Sequence, residues 1–246
     1  MSLVQVQSGT PVPQANASLV NADALRRELE QAITGEVRFD AVSRALYSTD
    51  ASVYQIKPLG VTVPKTREDI VKIVEICARH GCPITLRGGG TAQGGQSIGE
   101  GVQIDTSKYY NRLLEVNAEE RWVRVEPGIV LDELNAQLAP LGMRFAPDIS
   151  TASRATIGGM MANNSCGARS VLYGKTIDHV IEQTVLLADG SIVQFRDLSR
   201  SELPKGTSME ANCYRTVLAL AEMHRDEIDR RYPKILRRVE IGRAHV

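Results

Sequence analysis

The chain has 246 residues, 43% hydrophobic and 24% charged, a balance that suits a globular protein with a real core and excludes a disordered tail, a collagen-like chain or a disulfide-stapled miniprotein. Lys plus Arg and Asp plus Glu number 29 each, so no basic surplus exists to hold a phosphate backbone, and with only 4% aromatic residues few stacking platforms remain. Both counts argue against nucleic acid as a partner.

Residues 1–20, rich in Gln, Ser, Pro and Ala without periodicity, read as a disordered lead-in that lacks the basic start and apolar block of a secretory signal. Asn21 then caps an amphipathic helix, ADALRRELEQAI, which sets Leu25, Leu29 and Ile33 on one face and stops at Gly35. A short β-branched strand, VTVP, closes at Pro64. Thr66, with Asp69 three residues on, opens a second helix close to a capping box, running through Ile70, Ile73, Val74 and Cys77 to Gly81. Pro83-Ile-Thr-Leu is the next strand, so strand, helix and strand make a βαβ unit.

Beyond a Gly-rich turn, VQID, RLLEV and WVRVEPG read as strands and VLDELNAQLAPLG as a short helix ending at Gly142. Ala146 to Lys175 shows little periodicity and is expected to be a long functional loop. The strands VIEQTVLLA and SIVQF are joined by Asp189-Gly190, a hairpin signal, and residues 209–231 form one polar-faced helix. The last residues, EIGRAHV, read like the in-frame translation of a common sequencing adapter, so 240–246 are expected to be a non-native tail. No apolar run reaches the ~20 residues of a membrane span. Cys77, Cys82, Cys166 and Cys213 have no C-x-x-C spacing, which points to reduced thiols in a cytoplasmic protein rather than a metal site.

Two glycine-rich regions carry the chemistry. The first, LRGGGTAQGGQSIGEG over residues 86–101, follows a strand directly. Three consecutive glycines permit positive φ and leave no Cβ to hold a ligand off the backbone. Their successive amides can form an anion-binding concavity, to which the Thr91 and Ser97 hydroxyls add donors, and a diphosphate is its natural guest. A G-x-G-x-x-G register fails, because its third position from Gly88 is Gln93, and a P-loop ending at Gly174-Lys175-Thr176 fails because Arg169 stands where its first glycine belongs. The second region, residues 146–180, offers close approach at Gly158-Gly159 and neutral hydrogen-bonding groups on Thr156, Asn163, Asn164 and Ser165. That chemistry suits a ring edge, a ribityl chain and a diphosphate better than a metal, which would want clustered carboxylates.

These residues carry a resemblance. Asp50-Ala51-Ser52-Val53-Tyr54, the spaced Gly60-Val61 and Pro64, Arg87-Gly-Gly-Gly-Thr, Pro147-Asp148, Thr156-Ile-Gly-Gly and Tyr173-Gly174-Lys175-Thr176 with Asp178-His179 make the chain similar to FAD-binding domains of the vanillyl-alcohol oxidase/p-cresol methylhydroxylase type. Within that type, the sequence most resembles FAD-linked D-2-hydroxyacid dehydrogenases, the glycolate oxidase, D-lactate and D-2-hydroxyglutarate dehydrogenase group. The resemblance implies an α+β fold of two subdomains, about 58–118 and 119–239, with FAD between them and further elements expected downstream. It places Gly88, Gly89, Gly90, Thr91, Ala92, Gln96 and Ser97, led by Arg87, on the diphosphate. It places Pro147, Asp148, Thr151, Thr156, Gly158, Gly159, Asn163, Ser165 and Gly167 on the ribityl and flavin side.

Covalent members of the type carry a His where this chain has Gly90, which implies non-covalent FAD; His80 and His179 lie elsewhere and read as structural. The implied reaction is oxidation of a D-2-hydroxyacid (D-lactate, glycolate or D-2-hydroxyglutarate) to the 2-oxoacid by hydride transfer to flavin N5. Electrons would pass to a quinone, an electron-transfer protein or an iron–sulfur partner, a route that leaves room for peripheral attachment at the inner membrane. The family's substrate cap, with its metal-binding histidines and catalytic base, and any iron–sulfur cluster belong to parts beyond this sequence. No catalytic or metal-binding residue is therefore nominated, and Arg144, Arg154 and Arg169 read as solvated or phosphate-facing rather than substrate-binding. Two other readings stay open: a non-catalytic flavin module completed by a partner chain, and an alcohol or sugar oxidase on the same scaffold.

Overall fold

The computed structural model describes residues 17–234. Most of the expected lead-in and all of the expected tail at 240–246 lie outside the described residues. Where the lead-in is described, Ala17–Leu19 is a short 3-10 helix with Ala17 buried.

Local signals behave as the chain order suggests. Helix α1 (Ala22–Ala32) begins where Asn21 accepts from the Ala24 amide at 3.1 Å. Strand β1 (Glu36–Arg38) and helix α2 (Ala41–Leu46), neither visible in the sequence pattern, come next. Strand β2 (Gly60–Val63) leads to helix α3 (Arg67–Arg79), which Thr66 caps and Gly81, at φ +63°, ends. The Asp69 amide donates to Thr66 Oγ1 at 3.1 Å, the capping half of the expected box, and the Asp69 side chain reaches further. Its carboxylate accepts from the amides of Thr34 (2.8 Å) and Lys65 (2.9 Å), tying the end of α1 to the start of α3. Burial by itself would raise its pKa, but those bonds outweigh it and hold the carboxyl below the ordinary range.

Strands β3 (Ile84–Arg87) and β4 (Val102–Asp105) complete a four-stranded sheet of order β1-β2-β4-β3, parallel except for β1 against β2. The expected βαβ unit is present, but its two strands are not neighbours: β4 lies between them. Its central place explains why β4 is buried along its whole length. Val102 and Ile104 face a core with Leu25, Leu29, Ile73 and Ile76. Alternation sends Gln103 and Asp105 to the other face, shared with their in-register partners Thr85 and Arg87. That polar face supports the functional site.

The second half has its own core. Strands β5 (Leu113–Asn117) and β6 (Trp122–Val125) form a hairpin, and helix α4 (Leu131–Leu138) buries Leu131, Leu134 and Leu138 against Ile129, Ile157 and Met160. Leu113, Val116, Val123 and Val125 pack on that second core, so the division expected near residue 118 falls inside a paired hairpin. The stretch expected to be a loop contains two short helices, α5 (Ile157–Ala162) and α6 (Ser170–Tyr173). Six and four residues are too few for a helical period to show in sequence. Strands β7 (Glu182–Leu186) and β8 (Ile192–Arg196) pair antiparallel around Gly190 at φ +84°. The single helix expected over 209–231 is broken at His224 into α7 (Met209–Met223) and α8 (Arg225–Arg231). Asp226 and Glu227 in the first turn of α8, with Arg230 and Arg231 in its last, are the charge order of a new helix start. Among the described residues no helix is long and apolar enough to cross a membrane.

Candidate functional site

Strand β3 delivers the chain into the turn of residues 88–97, where Gly90 (φ +63°) and Gly95 (φ +81°) adopt backbone that other residues resist. Among the described residues, the amides of Gly88 through Gln93 meet no acceptor in the protein. Arg87 lies at the root of the turn. Its guanidinium stacks over the Tyr47 ring at 5.1 Å and donates to the carbonyls of Tyr47 and Ser97 at 3.4 Å each, and no described carboxylate forms an ion pair with it. A run of unpaired main-chain donors beside an uncompensated positive charge is the donor set of an anion site.

The second glycine-rich segment rests directly on the first. A Cβ built on Gly88 would stand 2.1 Å from Thr156 Oγ1, and one on Gly89 2.1 Å from the Arg154 carbonyl. Gln96 Nε2 donates to Asn163 Oδ1 at 3.4 Å. Thus the close approach permitted at Gly88 and Gly89 is first of all an approach between two protein segments. The same lack of a Cβ expected to admit a ligand thus also admits the second segment. Thr156, buried, caps α5 by accepting from the Gly159 amide at 3.3 Å. Gly158 lies against Pro127, whereas a Cβ on Gly159 would meet only Thr156 Oγ1, at 3.2 Å.

Beyond α5 the segment braces itself. The Ser165 carbonyl accepts from the Thr176 amide and hydroxyl at 3.0 and 2.8 Å, and Asn164 Oδ1 accepts from the Ile177 amide at 3.1 Å. Gly167 presses on the Asp148 carbonyl so tightly that a Cβ would lie 1.4 Å away. Asp148 Oδ2 accepts from Arg169 Nε at 2.7 Å, a bond that holds its carboxyl below the usual range despite opposing desolvation. Its Oδ1 is buried with no donor among the described residues. Pro147 is buried beside it, and the Thr151 carbonyl accepts from the amides of Arg154 and Ala155.

The expected residues therefore fall into linked groups: Gly88 and Gly159 with Thr156, Gly89 with the Arg154 carbonyl, Gln96 with Asn163, Asp148 with Gly167, and Ser165 with Thr176. Thr91 and Ala92 remain half-buried in the turn without side-chain partners. One role changes. The Ser97 hydroxyl donates to Asp50 Oδ2 at 2.9 Å, so its proton is not free for a phosphate. Of the remaining candidates, His80, His179, Arg169 and Arg144 have structural partners: His80 with Glu28 at 2.7 Å, His179 with the Tyr173 carbonyl at 2.6 Å, Arg169 with Asp148, and Arg144 over the Tyr173 ring at 5.3 Å. Among the described residues no group of three or more His, Cys, Asp or Glu could share a metal ion.

FAD fits this donor set. A diphosphate needs donors, which the unpaired amides and Arg87 could supply, and a ribityl hydroxyl or ring N–H needs an acceptor, which Asp148 Oδ1 could supply. The sequence profile of the FAD binding domain matches residues 58–196, more than half of the chain. The chain belongs to the FAD binding domain family. Among curated relatives of this FAD-binding chain, D-2-hydroxyglutarate dehydrogenase of Pantoea ananatis is 39% identical over 213 residues, covering 84% of this chain and 21% of the relative. Glycolate oxidase subunit GlcD of Bacillus subtilis is 36% identical over 166 residues, 66% of this chain and 35% of that one. The FAD-binding chain thus spans about a fifth of the length of the first relative and about a third of the second. Solved structures show the fold. p-Cresol methylhydroxylase aligns with a TM-score of 0.62 at 18% identity, over 70% of this chain and 35% of its own. 6-Hydroxy-D-nicotine oxidase of Arthrobacter nicotinovorans aligns with a TM-score of 0.61 at 21% identity, over 70% and 38%. The fold is the α+β FAD-binding fold of the vanillyl-alcohol oxidase/p-cresol methylhydroxylase type.

Proposed function

We propose that this chain is the FAD-binding portion of a flavoprotein dehydrogenase that oxidises a D-2-hydroxyacid to the 2-oxoacid. The observation that carries the reading is the convergence of the two glycine-rich segments around unpaired amides at Gly88 to Gln93. In this reading those amides hold the twin phosphates, with Arg87 as fixed countercharge at the root of the turn. Asp148 Oδ1 takes a hydrogen bond from the ribityl or ring side, and Thr156 and Gly159 line the approach. When bound, FAD supplies at flavin N5 the acceptor for the hydride leaving the substrate α-carbon; the protein's part is binding, orientation and electrostatics.

Non-covalent attachment has its own support. Gly90 stands where a covalent histidine would be, at φ +63°, and a Cβ there would lie 2.8 Å from the Arg87 guanidinium. A histidine at that place would be strained by the positive φ and would displace the Arg87 guanidinium. The identities to D-2-hydroxyglutarate dehydrogenases, 39% and 38% in the first two relatives, support a hydroxyacid as substrate and make D-2-hydroxyglutarate the first to assay. Electrons then leave to a quinone, an electron-transfer protein or an iron–sulfur partner in the cytoplasm or at the inner membrane face.

Titrating FAD into the purified chain should quench flavin fluorescence, and acid precipitation should release all of the flavin into the supernatant. A chain that leaves added FAD unquenched sinks the reading, and flavin that stays with the precipitate sinks its non-covalent part. The longer protein carrying this chain should reduce an artificial acceptor with D-2-hydroxyglutarate, D-lactate or glycolate.

A further inference from the structure

The 88–97 turn is held from outside its own sequence. Residues 47–54, between α2 and β2, touch it at three places. The Ala51 amide donates to the Gly90 carbonyl at 3.0 Å, and Tyr54 lies 2.9 Å from where a Cβ on Gly95 would be. Asp50 meets its closing end, where Oδ2 accepts from Ser97 Oγ at 2.9 Å while Oδ1 accepts from the Ser52 amide at 2.8 Å. Desolvation works against a charge at Asp50, but the bonds from Ser52 and Ser97 outweigh it and keep the carboxyl below its ordinary range, hence ionised. A carboxylate is therefore anchored on the loop that receives a diphosphate. By Coulomb's law alone that charge repels the phosphates and weakens binding.

We propose that Asp50 is a positioning residue for the diphosphate turn. By holding Ser97 Oγ it fixes the closing end of the turn, while the Ala51 amide on the Gly90 carbonyl fixes the bend. Together they keep the amides of Gly88 to Gln93 in the arrangement that binds the phosphates. Ser97 then serves the cofactor through its main chain, its hydroxyl being the latch. The inference rests on the FAD reading above but concerns a residue outside both glycine-rich regions.

The sign of the effect separates positioning from simple repulsion. FAD affinity is measured by fluorescence quenching for the wild-type chain, Asp50→Ala, Ser97→Ala, the double variant and Asp50→Asn, each also melted without FAD. Loss of one charge-assisted bond should weaken FAD binding about tenfold in each alanine variant. The double variant should lose no more than either single one, because all three lack the same bond. Asp50→Asn, whose amide can donate to Ser97 Oγ, should recover most of the affinity. Tighter or unchanged binding in Asp50→Ala, or additive losses in the double variant, would overturn the proposal. Should Asp50→Ala fail to melt cooperatively, Ser97→Ala, which removes only a hydroxyl, decides alone, and wild-type affinity there overturns it. A wild-type chain that takes up no FAD sinks the parent reading, whereas a binding wild type with indifferent variants sinks only this one.

Discussion

The two glycine-rich regions look alike in composition and are built in opposite ways. The 88–97 turn supplies almost none of its own support: its bonds run to residues 47–54 and to the second segment, and its early amides are left unpaired. The 146–180 segment closes on itself through Thr156 with Gly159, Ser165 with Thr176, Asn164 with Ile177 and Asp148 with Arg169. Glycine therefore means different things in the two. In the turn it lets another segment come close and leaves donors for a ligand; in the wall it lets the segment fold tightly on its own backbone. In the proposed function the first would hold the diphosphate and the second would brace the surface it binds against.

The contrast is most exposed to a branched side chain at the contact between the regions. Gly89→Val would drive Cβ into the Arg154 carbonyl, a backbone atom that cannot swing aside. We expect flavin absorbance to be lost together with a stability drop of about 3 kcal/mol or more, seen in chemical denaturation. Gly159→Ala is the matched control. Its Cβ meets only Thr156 Oγ1, so stability should change by less than about 1 kcal/mol, and reduced FAD affinity would mark that position as facing the cofactor. If Gly89→Val kept its stability while losing FAD, the contact between the segments would be dispensable and the contrast would fail.

A smaller effect belongs to the wall's own cap. Thr156→Val keeps the shape but removes the oxygen that accepts from Gly159, which should cost about 1 kcal/mol and lower the melting midpoint correspondingly. The smallest is a pH effect at Asp148. Because Arg169 lowers its pKa in the folded chain, its stabilising share is present above the ordinary value of 3.8 and is lost as the pH falls through the lower folded value. Arg169→Gln should flatten that acid limb in a series of melts, and an unchanged limb would show that the ion pair is not part of the brace.

Much of this was legible in the sequence because its signals are local. Asn21 and Thr66 cap the helices they precede, Gly81 and Gly142 stop helical runs at positive φ, and Asp189-Gly190 turns the hairpin. β1 escaped notice because three residues make a strand only when β2 is beside them. α5 and α6 escaped because they are shorter than the window in which a period can be recognised. In the site, the glycines and Thr156 stood out by type and spacing, and Asp148 only through the family resemblance. Asp50 was visible only as part of a motif, since its partner Ser97 is 47 positions away.

The order of residues alone determined where α1 and α3 begin, which of their faces are apolar, and that two stretches have glycine-rich backbone with the freedom to approach a ligand closely. Tertiary structure decided that β4 lies between β2 and β3, that Thr156 lies on Gly88, and that the Ser97 proton belongs to Asp50. The reason is physical. Caps, stops and turns depend on atoms a few bonds apart, whereas strand order and the pairing of distant side chains depend on which surfaces the whole chain can bury together.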